Sequence, residues 1–123
     1  MARGEQTKAA AAKARGEGGF KAINVAVFEK HRVKGKAPVL DVRSPEEFAK
    51  GHVTGAINAD IHSPDFATKA SQFDKKKPIL LNCHLGSRGE IAAAELGRMG
   101  FKNVFNLEGG LDAWEKAGNH AEK

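Results

Sequence analysis

From residue 20 onward the chain alternates short apolar runs with segments of helical period. Residues 22–33 carry apolar positions that fit a short strand leading into a helix that ends before Gly35. Pro38-Val39-Leu40-Asp41-Val42 reads as a buried strand, with its proline at the first position, where a missing N–H is tolerated. In Ser44-Pro45-Glu46-Glu47-Phe48 a capping serine precedes a proline, and a glutamate follows three residues after the cap. This is the signature of a helix start, and Gly51 marks an early stop. A short strand over residues 56–59 and a helix over residues 65–73 follow. Pro78-Ile79-Leu80-Leu81-Asn82 is the clearest strand. Across residues 88–99, Ile91, Ala92, Leu96 and Met99 fall on adjoining turns of a helix that Gly100 terminates. A strand over residues 104–106 and a helix over residues 111–117 complete the pattern. Strands alternating with helices predict an α/β fold, a parallel sheet with helices on both faces, whose ligands sit beyond the carboxyl ends of the strands.

Composition narrows this picture. Residues 1–19 are Ala, Lys, Arg, Glu and Gly with nothing large and apolar after Met1. They are expected to be a flexible basic tail on a single domain covering residues 20–123. The 123 residues are 41% hydrophobic and 28% charged, values of a soluble globular chain. No run approaches the ~18 apolar residues of a membrane helix, which argues against a membrane partner. The net charge is +5, yet there is no tyrosine and a single tryptophan. Nucleic-acid binding calls for a concentrated basic face with stacking aromatics, so the run Lys75-Lys76-Lys77 reads as a solvated turn before a strand. The mild positive charge suits a small anionic substrate. A lone cysteine excludes an internal disulfide and a zinc site built on several thiolates. His31, His62 and His120 show no metal-ligand spacing, and no metal or cofactor is expected. The amino terminus lacks the apolar core of a signal peptide, so a cytoplasmic location is expected, with a removed targeting segment left open.

The lone cysteine, Cys83, directly follows the clearest strand, and the clearest helix starts a few residues later. A helix start leaves backbone N–H groups unpartnered at the positive end of its dipole, and a loop curled by Gly86 and Gly89 gathers such groups into an anion-binding nest. A sulfur at its centre is favoured as the thiolate, with Arg88 adding a permanent positive charge at the rim. A lone cysteine is more often a small buried hydrophobe, but such a filler needs neither a glycine-bearing loop nor an arginine five residues on.

Three motifs resemble the rhodanese family of single-domain sulfurtransferases, over residues 23–118. The first is Leu40-Asp41-Val42-Arg43-Ser44-Pro45-Glu46-Glu47-Phe48 with Gly51-His52-Val53-Thr54-Gly55-Ala56-Ile57-Asn58. The second is the loop Cys83 to Arg88, of the form C-x-x-G-x-R. The third is Asn106-Leu107-Glu108-Gly109-Gly110-Leu111-Asp112-Ala113-Trp114. The resemblance implies a parallel five-stranded sheet between helices and an activity of thiosulfate sulfurtransferase type. A sulfane sulfur would pass from thiosulfate or a persulfide to a thiol or cyanide acceptor through a persulfide on Cys83. A small thiol or a thioredoxin-like protein would then accept it. His84, Leu85, Gly86, Ser87 and Arg88 are the implied substrate-binding residues. His84 stands where one well-known pattern has arginine. It could bind an anionic donor when protonated, or be a solvated loop residue. The alternative implied role is a sulfur carrier or protein-interaction module with little turnover of free thiosulfate. Related phosphatases and arsenate reductases have the loop C-x5-R; here four residues separate Cys83 from Arg88. Asp41 and Arg43 are expected to be structural, with Arg43 pairing with Glu47 to pin strand to helix. His52 is expected to be a satisfied structural histidine, and Trp114, Phe48 and Phe101 core residues.

Overall fold

The computed structural model describes residues 20–123. The expected basic tail, residues 1–19, lies outside the described residues. Strand β1 (Phe20–Ile23) leads through a cap at Asn24, whose side chain accepts from the Val27 N–H, into helix α1 (Val25–Glu29). A π-helical turn, Lys30–Lys34, continues it to Gly35. Strand β2 (Val39–Asp41) and helix α2 (Pro45–Lys50) follow. The Ser44 hydroxyl caps the Glu47 N–H, and the Glu47 carboxylate accepts from the Ser44 N–H, the reciprocal box that the local sequence predicts. Then come β3 (Ile57–Asn58), α3 (Phe66–Ala70), β4 (Ile79–Asn82), α4 (Ser87–Arg98), β5 (Val104–Leu107) and α5 (Gly110–Lys116). Helix α3 is shorter than expected from residues 65–73, because a turn closes from Ala70 O to the Phe73 N–H instead of another helical bond.

The five strands form one parallel sheet in the order β1-β5-β4-β2-β3. Its central strand, β4, is buried along its whole length, which is why Ile79-Leu80-Leu81 is continuously apolar rather than alternating. The pleat sends successive side chains to opposite faces. Leu40, Ile79, Leu81, Cys83 and Val104 pack with Phe66, Ala92 and Leu96 of α3 and α4. Val39, Leu80 and Leu107 pack with Phe28, Leu111 and Trp114 of α1 and α5. The sheet therefore has helices on both faces. Trp114 and Phe101 are buried, and Phe48 is half-buried against the second cluster. Among the described residues, no helix is long and apolar enough to cross a membrane.

Candidate active site

The carboxyl ends of β2 and β4 are hydrogen-bonded neighbours, with Asp41 paired in register with Asn82. Cys83 is the next residue, and the chain must then turn from a central strand into α4. Gly86 makes that turn with φ +109°, a left-handed backbone that a residue with Cβ rarely adopts. The turn brings the Gly86 N–H to 2.9 Å from Cys83 Sγ. Among the described residues, the N–H groups of His84, Leu85, Ser87, Arg88 and Gly89 donate to no other backbone group, as expected of a loop feeding a helix start. Cys83 is 1% exposed, whereas His84, Leu85 and Ser87 are exposed around it. The segment thus places a buried sulfur against a backbone donor, at the positive end of a 12-residue helix.

The loop is held from outside by the third motif. The Leu111 N–H, in the first turn of α5, donates to Cys83 O at 2.7 Å, and the Asp112 N–H donates to His84 O at 3.3 Å. Gly109 and Gly110 (φ +76° and +56°) let α5 begin directly against the loop. A Cβ on Gly110 would fall on the carbonyl oxygens of Cys83 and His84. Asn106, buried in β5, donates from Nδ2 to Gly86 O at 3.1 Å. These contacts are not evident from periodicity. Two consecutive glycines ahead of a helix are the available signal of a close backbone approach. Gly89 has a different part from the one expected: it sits inside α4, and its missing side chain makes room for the Asn106 amide rather than for a curl in the loop.

The partner expected for Arg43 goes to Arg88 instead. Arg43 pairs not with Glu47 but with Asp41, through Nε to Oδ1 at 2.8 Å and Nη2 to Oδ2 at 2.7 Å, and donates also to Gly51 O. Both side chains are buried, and the fork clamps the end of β2 to the turn after α2. Glu47 is taken instead by Arg88, Nη1 to Oε1 at 2.6 Å and Nη2 to Oε2 at 2.9 Å. Hydrogen bonding from Arg88, reinforced by Ser44, holds the Glu47 carboxyl down at about 2. In turn Glu47, with smaller contributions from the charges of Cys83 and Asp41, pushes the Arg88 guanidinium up. Arg88 therefore keeps its charge beside the loop, in an orientation set by α2.

His84 is exposed, and its side chain makes no hydrogen bond among the described residues. His52 stacks on Phe48 with ring centroids 3.7 Å apart, its Nδ1 is 2.8 Å from Phe48 O, and its Nε2 faces Glu122. Its contacts are those of a structural residue.

The Rhodanese-like domain family model matches residues 24–117. The chain is 38% identical over 96 residues to thiosulfate sulfurtransferase GlpE of Ectopseudomonas mendocina, covering 77% of this chain and 84% of that relative. The crystal structure of an Anabaena protein superposes with a TM-score of 0.74 at 28% identity, covering 81% of this chain and 90% of the other. A protein of unknown function from Rhodopseudomonas palustris, described as a possible tyrosine phosphatase, superposes with a TM-score of 0.68 at 28% identity, covering 84% and 85%.

Proposed function

The chain belongs to the rhodanese-like domain family, and on that premise we propose that residues 20–123 transfer a sulfane sulfur from thiosulfate to a thiol acceptor through a persulfide on Cys83. The observation that carries this reading is the Gly86 N–H at 2.9 Å from Cys83 Sγ, at the mouth of α4 and beside Arg88. A donor there stabilises the anionic sulfur that must attack. The Cys83 thiolate attacks the outer sulfur of thiosulfate. A new S–S bond forms, the donor's S–S bond breaks, and its electron pair leaves with sulfite. The new terminal sulfur carries the negative charge about 2 Å beyond Sγ, where the loop amides of residues 85–88 and Arg88 receive it. An acceptor thiolate, or cyanide, then attacks that outer sulfur. The electron pair returns to Cys83 Sγ, which regenerates the thiolate. The two covalent steps replace one difficult direct transfer, and the scheme uses no metal or organic cofactor. The C-x4-R loop, one residue shorter than that of the phosphatases, is sized for a single added sulfur rather than a tetrahedral phosphate.

The test is intact mass after exposure to thiosulfate, with turnover measured alongside using dithiothreitol, glutathione, a thioredoxin and cyanide as acceptors. One sulfur per chain is expected, removed by dithiothreitol and absent from Cys83→Ser. An unchanged mass under excess donor overturns the covalent scheme. Loading without turnover of any acceptor would identify a sulfur carrier instead.

A further inference from the structure

Four hydrogen bonds grip carbonyl oxygens of the cysteine loop: Cys83 O and His84 O accept one each, and Gly86 O accepts two, from Asn106 Nδ2 and, at 3.2 Å, from the Glu90 N–H of α4. The described peptides are all trans, so each N–H lies opposite the carbonyl of its own peptide plane. Fixing the carbonyls of residues 83, 84 and 86 therefore fixes the N–H groups of residues 84, 85 and 87, and turns them away from α5 and Asn106. Two of the ties come from backbone at the start of α5 and one from the Glu90 N–H in the first turn of α4. The fourth comes from Asn106, among the described residues the one side chain that donates to a loop carbonyl. Asn106 is 2% exposed, and its Oδ1 has no hydrogen-bond partner. The oxygen instead lies against Gly89, where any Cβ would collide with it. Burial of an unpaired oxygen is unfavourable, so packing does not explain why an amide stands there. Its donor to Gly86 O does. The opposite flip would set oxygen against oxygen, so the contact also fixes which way the amide faces.

We propose that Asn106 is a positioning residue for sulfur transfer. Its Nδ2 adds to the Glu90 N–H a second, lateral hold on Gly86 O that locks the Gly86–Ser87 peptide so that the Ser87 N–H faces the sulfur carried by Cys83, and residue 89 is glycine so that this amide can reach. The proposal rests on the reading of Cys83 as the sulfur-accepting nucleophile. Asn106 touches no reacting atom and acts through the loop. Its loss leaves sulfur uptake possible and makes it slow.

The experiment mixes thiosulfate with native protein, Asn106→Ala, Gly89→Ala and the double variant, and follows persulfide formation by rapid quench and intact mass at a temperature where each is folded. Each single variant is expected to load one sulfur per chain, at a rate lowered on the order of 10- to 100-fold, the size of effect that about 1 Å of misplacement produces. The change in the Ser87 amide proton shift on loading should shrink in both. The double variant should be no slower than Asn106→Ala, because Gly89→Ala acts only by displacing the amide. Should Asn106→Ala fail to fold, Gly89→Ala carries the test alone, since alanine is the better helix former and the variant displaces the Asn106 amide without removing it. Native uptake with folded variants that load at the native rate overturns this proposal alone, as do single effects that multiply in the double variant. Native protein that takes up no sulfur overturns the reading of Cys83 and this proposal with it.

Discussion

Arg88 and Glu47, 41 residues apart in the chain, meet in a two-pronged ion pair at 2.6 and 2.9 Å that joins the start of α4 to the first turn of α2. The same glutamate closes the Ser44 capping box. One carboxylate thereby shapes a helix and aims the arginine beside the candidate nucleophile.

The pair fixes an acid dependence. Glu47 is held at about 2 in the folded chain against an ordinary 4.5. A carboxyl depressed by folding stabilises fully above its unfolded value, and that stabilisation disappears as pH falls through the folded one. Native protein should therefore exceed Glu47→Gln in stability by a constant amount above pH 5, and the gap should close between pH 4.5 and 2. With 35% of the glutamate side chain and 27% of the arginine exposed, solvent screening reduces the gap to about 1 kcal/mol. Urea unfolding of both proteins across that range measures it; a gap that widens on acidification contradicts the assignment.

Arg43→Ala should be among the most damaging changes. Asp41 is fully buried and Arg43 nearly so, and removal of one partner strands the other's charge in the interior. Breaking such a pair costs about 3–5 kcal/mol. Arg43→Lys should recover only part, since a lysine cannot make the fork to Oδ1 and Oδ2 while also reaching Gly51 O. Thermal or urea denaturation reads both variants.

Gly110→Ala and Gly55→Ala form a matched pair. Both glycines have positive φ, +56° and +80°, so alanine at either incurs a conformational cost of about 1–2 kcal/mol. Open space surrounds Gly55, whereas Gly110 abuts the carbonyls of Cys83 and His84. Gly55→Ala should lose only that stability and keep its transfer rate. Gly110→Ala should lose more stability and at least tenfold in sulfur transfer. Equal rates for the two variants would mean that the α5 contact does not shape the loop.

Loop length can be tested by insertion of one glycine between Gly86 and Ser87, giving C-x5-R. The N–H groups of Ser87 and Arg88 would be moved one residue further from Sγ, and sulfur transfer should fall on the order of a hundredfold. Native protein should not hydrolyse aryl phosphates. Cys83-dependent phosphate hydrolysis by the native loop would replace the sulfurtransferase assignment.

Local rules account for what the sequence made legible. The Ser44–Glu47 box, the apolar run of β4 and the Gly86 turn each depend on residues within a few positions of one another, and each forms where expected. Cys83 at the start of a strand-to-helix loop was readable for the same reason. The partners of Arg43 and Arg88 were not. Two arginines and two carboxylates, Asp41 and Glu47, lie near the carboxyl ends of β2 and β4, and only where the sheet places the start of α4 relative to α2 decides which pairs with which. Nor does periodicity reveal that Gly89 makes room for Asn106, or that Gly110 makes room for the cysteine loop. Those contacts join residues that the sheet order brings together and the chain keeps apart.

The sheet order also sets a timetable for a chain emerging from the ribosome. Strand β1 has β5 as its neighbour in the sheet, with Phe20 paired to Val104, so among the described residues the first strand made waits for the last. The carbonyls of Cys83 and His84 wait longer still, for the N–H groups of Leu111 and Asp112. Until residues 104–112 have been synthesised, its single thiol belongs to an unfinished loop. Thiol-labelling kinetics on stalled nascent chains of increasing length would time the completion of this loop at one atom.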